Sequence, residues 1–321
     1  MKRFFIYLIA CVLIAGLIVG CGGARKATPA RQYFITIAAG NVNDVNYPLG
    51  SALVEVFNKA AAGINASLQN NVGATDTPLT LLAAGKANLA VVPGDTAYYA
   101  MNGMEMFKGK PALNLQALTS LYVESVQILV LDKTPVRSVA DLKGKRIAVG
   151  TAGSGSEANA RQILGAYGIT YNDVSAQYLP LADAVNALKN GTVEAVFATV
   201  EAPSSMIAAA AAQTKIRLLP IEAGKAELLI GQYPFYAKST VAARSYANVD
   251  RDTETLAIPM LLTATERMDE EVGYKIVKTM YDNMDALQAA HPAGLNRDKN
   301  KALAGAGIPI NPGVEKFFKE K

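Results

Sequence analysis

From Tyr33 onward the chain alternates short apolar runs with stretches of helical periodicity. Strands are predicted at Tyr33–Gly40, Ile64–Asn70 and Asn88–Pro93, and helices at Tyr47–Gly63, Asp76–Ala87 and Gly94–Gly103. Asp76 or Thr77 serves as N-cap of the second helix, with Pro78 in its first turn. The rhythm then pauses. Ala117–Thr134 reads as one long extended run. A second alternation follows. Ser138–Gly150 is a small helix, a turn and a strand. Helices are expected at Ser156–Gly168, Leu181–Gly191 and Pro203–Gln213, and strands at Val174–Leu179, Val193–Thr199 and Ile216–Ile221. Tyr233–Tyr246 again looks extended, and Thr255–Thr265 strand-like. Asp269–Ala290 is a long amphipathic helix with acids in its first turn, and Asn311–Lys321 a final short one.

Alternating strands and helices imply parallel sheets covered by helices on both faces. Two such blocks joined by long extended connections suggest two α/β lobes that the chain crosses twice, its third segment returning to the first lobe. Ligands of open α/β sheets bind at the carboxyl ends of the strands. That places five loops around one cleft: 40–48, 70–77, 93–97, 150–159 and 199–203. None of them contains Lys or Arg.

The N-terminus carries a different signal. Lys2 and Arg3 precede the apolar stretch Phe4–Val19, which falls short of the roughly 20 residues of a membrane span. "IVGC" (Ile18–Cys21) has an aliphatic residue three before cysteine and a small one directly before it. This is a lipoprotein signal (residues 1–20), with Cys21 as the lipidation site and residues 21–32 as a small, polar tether. Cleavage before Cys21 removes Lys2 and Arg3 and lowers the net charge from +4 to +2. The other cysteine, Cys11, lies in the signal. The mature chain therefore has no disulfide framework, cysteine metal site or catalytic cysteine. A chain of 321 residues, 51% hydrophobic and 18% charged, is globular, and its scattered charges do not suit nucleic acid.

"GTAGSGSEANAR" (Gly150–Arg161) joins a strand to a helix, and such glycine-rich turns aim backbone N–H groups at anions. It is not a P-loop, because Ser156 stands where Lys is required. The spacing Gly153–Ala158 matches the dinucleotide-binding pattern, but Asp173 precedes the next strand instead of ending it. Ser154 and Glu157 also fit a capping box, which only starts a helix. Catalytic groupings are poor. His291 is the only histidine and reads as a helix-end residue beside a proline. No metal site or cofactor is implied.

The segments "NYPLGSALVEVFNK", "NNVGATDTPLTLLAAGKANLAVVPGDTAYYAMNG", "DLKGKRIAVGTAGSGSEANARQIL", "ALKNGTVEAVFAT" and "YPFY" follow one another in the order seen in the TAXI family. The chain resembles these solute-binding receptors of tripartite ATP-independent periplasmic (TRAP) transporters from about Tyr33 to its end. The resemblance implies a type II periplasmic binding protein, a Venus flytrap. One lobe is expected at 33–122 with 240–321, the other at 123–239. It also implies a monomer that is not an enzyme. It would carry a small carboxylate, glutamate or a related amino acid or dicarboxylate, to a membrane permease. By motif match, ligand contact falls on Tyr47, Asp95, Gly153, Ser154, Gly155, Ser156 and Thr199. Asn41, Asp44, Glu157 and Glu201 complete the candidate set, with Asp44, Asp95 and Glu201 available to an ammonium group. The first loop departs from the family's Gly- and Thr-rich pattern at Asn41, Asn43, Asp44 and Asn46. The alternatives are a sensory ligand-binding subunit and a lipid-anchored extracytoplasmic hydrolase. The latter lacks an assembled nucleophile and base.

Mass spectrometry of membrane-extracted protein is expected to show an N-terminal Cys21 carrying diacylglycerol. A mature chain that begins elsewhere and bears no lipid would overturn this reading.

Overall fold

The first alternation folds as β1 (Tyr33–Ala38), α1 (Tyr47–Lys59), β2 (Ile64–Gln69), α2 (Pro78–Ala83), β3 (Leu89–Pro93) and α3 (Gly94–Asn102). The structure is a computed structural model that describes residues 31–42, 44–60, 62–70, 77–291 and 295–320. Cys21, Asn43 and Asp76 lie outside the described residues. Thr77 caps α2, its Oγ1 accepting from the Thr80 N–H. The extended run that interrupts the rhythm is a single strand, β4 (Leu115–Leu131).

The second alternation gives β5 (Arg146–Ala148), α4 (Gly155–Ala166), β6 (Ser175–Gln177), α5 (Leu181–Lys189), β7 (Ala195–Val200), α6 (Ser205–Gln213), β8 (Ile216–Leu218) and α7 (Ala223–Gln232). The chain returns through β9 (Ala237–Val241) and β10 (Thr253–Thr265). It ends in α8 (Glu270–Asp282), α9 (Met284–Gln288) and α10 (Pro312–Lys319).

The strands form one ten-stranded mixed sheet, ordered β2-β1-β3-β10-β4-β7-β5-β6, with β8 on β4 and β9 on β10. The alternation by itself implies separate parallel sheets. The outer strands are parallel, as the alternation requires. The middle is antiparallel, because β4 and β10 are long enough to belong to both halves. At 17 residues, β4 is roughly 55 Å long.

The register explains where a ligand can enter. Pro93, the end of β3, pairs with Met260, which pairs with Tyr122. Val200, the end of β7, pairs with Ser125. The carboxyl ends of the two parallel blocks therefore face each other across Val123 and Glu124. There the buried pattern of β4 is broken: Val123 is exposed and Glu124 partly so, while the flanking residues are buried.

The apolar core differs on either side of this break. In one half α1, α8 and α10 cover Ile35, Ile37, Leu118 and Leu262; in the other α4 and α7 cover Ile128, Val130, Ile147 and Phe197. Tyr99 of α3 crosses between them. Its ring packs edge-on against Phe235 at 5.3 Å, and Phe235 lies 4.7 Å from Tyr236.

Two helices differ from expectation. The long C-terminal helix breaks at Asn283, whose backbone leaves the helical region and whose Nδ2 donates to the Thr279 carbonyl. The sequence pattern does not mark the helix at residues 223–232, where only Ala226 and Leu229 form its buried stripe. Among the described residues no helix is long and apolar enough to cross a membrane.

Phe235 is fully buried at the junction of the two halves. Phe235→Ala is expected to lower stability by about 3–5 kcal/mol, and Phe235→Leu by clearly less. Urea denaturation of both variants checks this.

Candidate functional site

The turn after β5 is built to fold back on the helix that follows it. Gly150 has a φ of +97°, and a Cβ there would lie 3.0 Å from the Ser156 Cβ and 3.2 Å from the Glu157 nitrogen. Only glycine allows both the backbone angle and the close approach. Ser154 then caps α4, its Oγ accepting from the Glu157 N–H at 3.2 Å. Among the described residues none accepts from the N–H groups of Gly155 or Ser156. These two donors carry the positive end of the helix dipole.

Ser156 lines a hollow of about 120 Å³. Ser154, Ser156, Phe197 and Thr199 line it, together with Pro180 and Leu181 at the start of α5. No side chain caps α5, so a second helix begins at the same hollow. Its lining contains no charged residue. Larger hollows exist. One of about 480 Å³ lies near Leu115 and Thr265, at the far ends of β4 and β10. Another, of about 640 Å³, crosses Val123 and Ser239. Neither is lined by a helix N-terminus.

A buried polar network stands behind the hollow. Asp95, 2% exposed, receives Asn159 Nδ2 on Oδ2 at 3.1 Å and both the N–H and the hydroxyl of Thr96 on Oδ1. Asn159 Nδ2 also reaches Thr199 Oγ1 at 3.3 Å, and its Oδ1 accepts from the Tyr236 hydroxyl at 2.9 Å. Gln162 continues the chain to Tyr99 and Tyr236. The approach is tight: a Cβ on Gly155 would lie 2.9 Å from Asp95 Oδ2. Burial pushes the Asp95 carboxyl above its usual range, and the donors from Asn159 and Thr96 oppose that shift.

Acidic groups gather opposite. Glu124, at the break in β4, is pushed up to about 8. Burial is the main cause, and the carboxylates of Asp95, Glu201 and Asp44 add to it. Glu201 is raised by burial as well. Asp44 Oδ1 accepts from the Asn46 N–H, and Asn46 Oδ1 accepts from the Tyr122 hydroxyl at 2.7 Å. This ties the first loop to the centre of β4. Among the described residues no group of three or more His, Cys, Asp or Glu side chains is placed to hold a metal ion.

The predicted residues thus separate. Ser154, Ser156 and Thr199 line the hollow, while Gly155 packs close to Asp95 and Gly153 lies in the turn. Glu157 does not complete a capping box. Its carboxylate accepts instead from the Tyr171 hydroxyl at 2.8 Å and pairs with Arg161. Asp95 supports the hollow from behind. Asn41, Asp44 and Tyr47 belong to the first loop, with Asn41 exposed and Tyr47 partly buried where α1 begins. His291 lies beyond α9, 3% exposed, its ring stacked on Tyr122 at 4.0 Å. Sequence reasoning missed Glu124 and Asn159. A lone acid inside an otherwise apolar strand could have flagged Glu124; an asparagine between alanines carries no such mark.

The raised Glu124 has a stability consequence. Between its ordinary value near 4.5 and about 8, the folded protein binds more protons than the unfolded chain. The group's contribution to stability therefore falls as pH rises through this window. Glu124→Gln is expected to flatten that decline, with the largest relative gain in stability at pH 8. Denaturation curves at pH 5 and pH 8 decide it.

Comparison with known proteins agrees with this architecture. A TctC solute binding protein from Polaromonas superposes with a TM-score of 0.54 at 15% identity, covering 82% of this chain and 88% of its own. A Xanthomonas citri protein solved with ATP gives 0.54 at 12% identity, covering 90% and 95%. The periplasmic sulfonate-binding protein SsuA of Methylobacillus flagellatus gives 0.51 at 14%, covering 81% and 73%. At such identities the likeness is one of fold: the two-lobed mixed α/β architecture of periplasmic binding proteins. Residues 37–321 match a single family along their whole length, and the chain belongs to the NMT1-like family.

Proposed function

We propose that this protein is an extracytoplasmic solute-binding protein for a small carboxylate, an α-amino acid such as glutamate, which it delivers to a TRAP-type permease. In this reading it is not an enzyme and needs no cofactor. Cys21 anchors it to the membrane, and residues 33–122 with 240–321 close against 123–239 around the ligand. The observation that carries the proposal is Ser156, its N–H unengaged in the first turn of α4, lining a hollow without Lys or Arg. Such a site suits one carboxylate. A polyphosphate normally recruits cationic side chains or a metal. The facing acids suit an ammonium group. Asp95 already receives donors on both oxygens, which leaves Glu124, Asp44 and Glu201 for that role.

Native mass spectrometry of the purified protein is expected to reveal a bound small acid. In calorimetry with glutamate, Ser156→Ala should lose about 1.5–3 kcal/mol of binding, roughly tenfold to a hundredfold in affinity. Unchanged affinity in the variant, or equal binding of glutamate dimethyl ester, which carries no carboxylate, would refute the carboxylate placement.

A further inference from the structure

Resting on the carboxylate reading above, we propose that Asn159 is a positioning residue that makes Thr199 a hydrogen-bond donor toward the hollow. The argument begins at Asp95. The Thr96 N–H and hydroxyl both donate to its Oδ1, and its Oδ2 accepts from Asn159 Nδ2 at 3.1 Å. Asn159 thus presents its NH₂ group to Asp95 and its carbonyl oxygen to the Tyr236 hydroxyl. The reversed amide would set oxygen against carboxylate. The same NH₂ group reaches Thr199 Oγ1 at 3.3 Å, so that oxygen accepts. A hydroxyl has one hydrogen to give. With Asn159 donating to it, the Thr199 hydrogen is directed elsewhere, and Thr199 lines the hollow.

Ser156, in the first turn of α4, and Thr199 thus both line the hollow as donors. A ligand oxygen between them must be an acceptor. A carboxylate satisfies both. A protonated acid or an amide nitrogen would bring its own hydrogen against one of them. Asn159 touches no ligand in this arrangement and acts through Thr199.

The test uses purified full-length protein with two probes, glutamate by calorimetry and acetate by broadening of its NMR line. Thr199→Val should weaken binding of both about tenfold or more, and Thr199→Ser should restore it. Asn159→Asp, which makes this side chain an acceptor, should turn the Thr199 hydrogen away and weaken binding similarly. In a Thr199→Val background it should add little further loss, since the two act as one unit. Simple additivity, or wild-type affinity in Asn159→Asp, overturns the positioning role and leaves the carboxylate reading standing. Should wild-type protein bind neither probe, both fall. The Thr199 pair tests the idea without disturbing the buried amide.

Discussion

β4 and β10 pair antiparallel across the middle of the sheet, and each half of the molecule is hydrogen-bonded to one of them. β3 joins through β10, and β7 through β4. This pairing sets the directions of everything else. Because β10 opposes β3 and β4 opposes β7, the two parallel blocks must point at one another. Their carboxyl ends meet at Val123 and Glu124 as a consequence of register. The turn that carries Ser154, the start of α3 with Asp95 and the loop that carries Glu201 are then brought to one place by backbone geometry.

The second layer of organisation is polar and buried. Asp95, Asn159, Thr199, Tyr236, Gln162 and Tyr99 come from both halves of the sequence and satisfy one another. A polar group removed from water is costly unless partners surround it, and Asp95 has three. The network sits against the aromatic cluster of Tyr99, Phe235 and Tyr236. Apolar packing excludes water there, which strengthens each hydrogen bond and raises the cost of an unmade one. The start of α4 is held to Asp95 so closely that Gly155 has no room for a side chain.

Electrostatically the site has two unlike sides. Helix N-termini and hydroxyls offer hydrogens at the hollow, while the carboxyl groups of Glu124, Asp44 and Glu201 gather nearby. Burial chiefly raises Glu124, and the carboxylates of Asp95, Glu201 and Asp44 add to the shift. A ligand with one anionic and one cationic group would relieve the acids and fill the donors together.

The alternation of runs was enough to mark the α/β class, the strands β1, β3 and β7, the long extended β4 and the helix start at Ser154. These depend on local periodicity, turn glycines and caps, which act within a few residues. The donor turn at Gly150–Ser156 was legible for the same reason. The mixed sheet was not, since strand direction depends on which distant strand supplies the ladder, as with Met260 against Tyr122. Nor could sequence separate Glu157 from Ser156. Both sit in the first turn of α4, yet one faces Tyr171 and Arg161 and the other the hollow. Glu124 and Asn159 gained their surroundings only from tertiary packing. A residue's burial, its charged neighbours and the direction of its hydrogen bonds are set by chain segments far away in sequence.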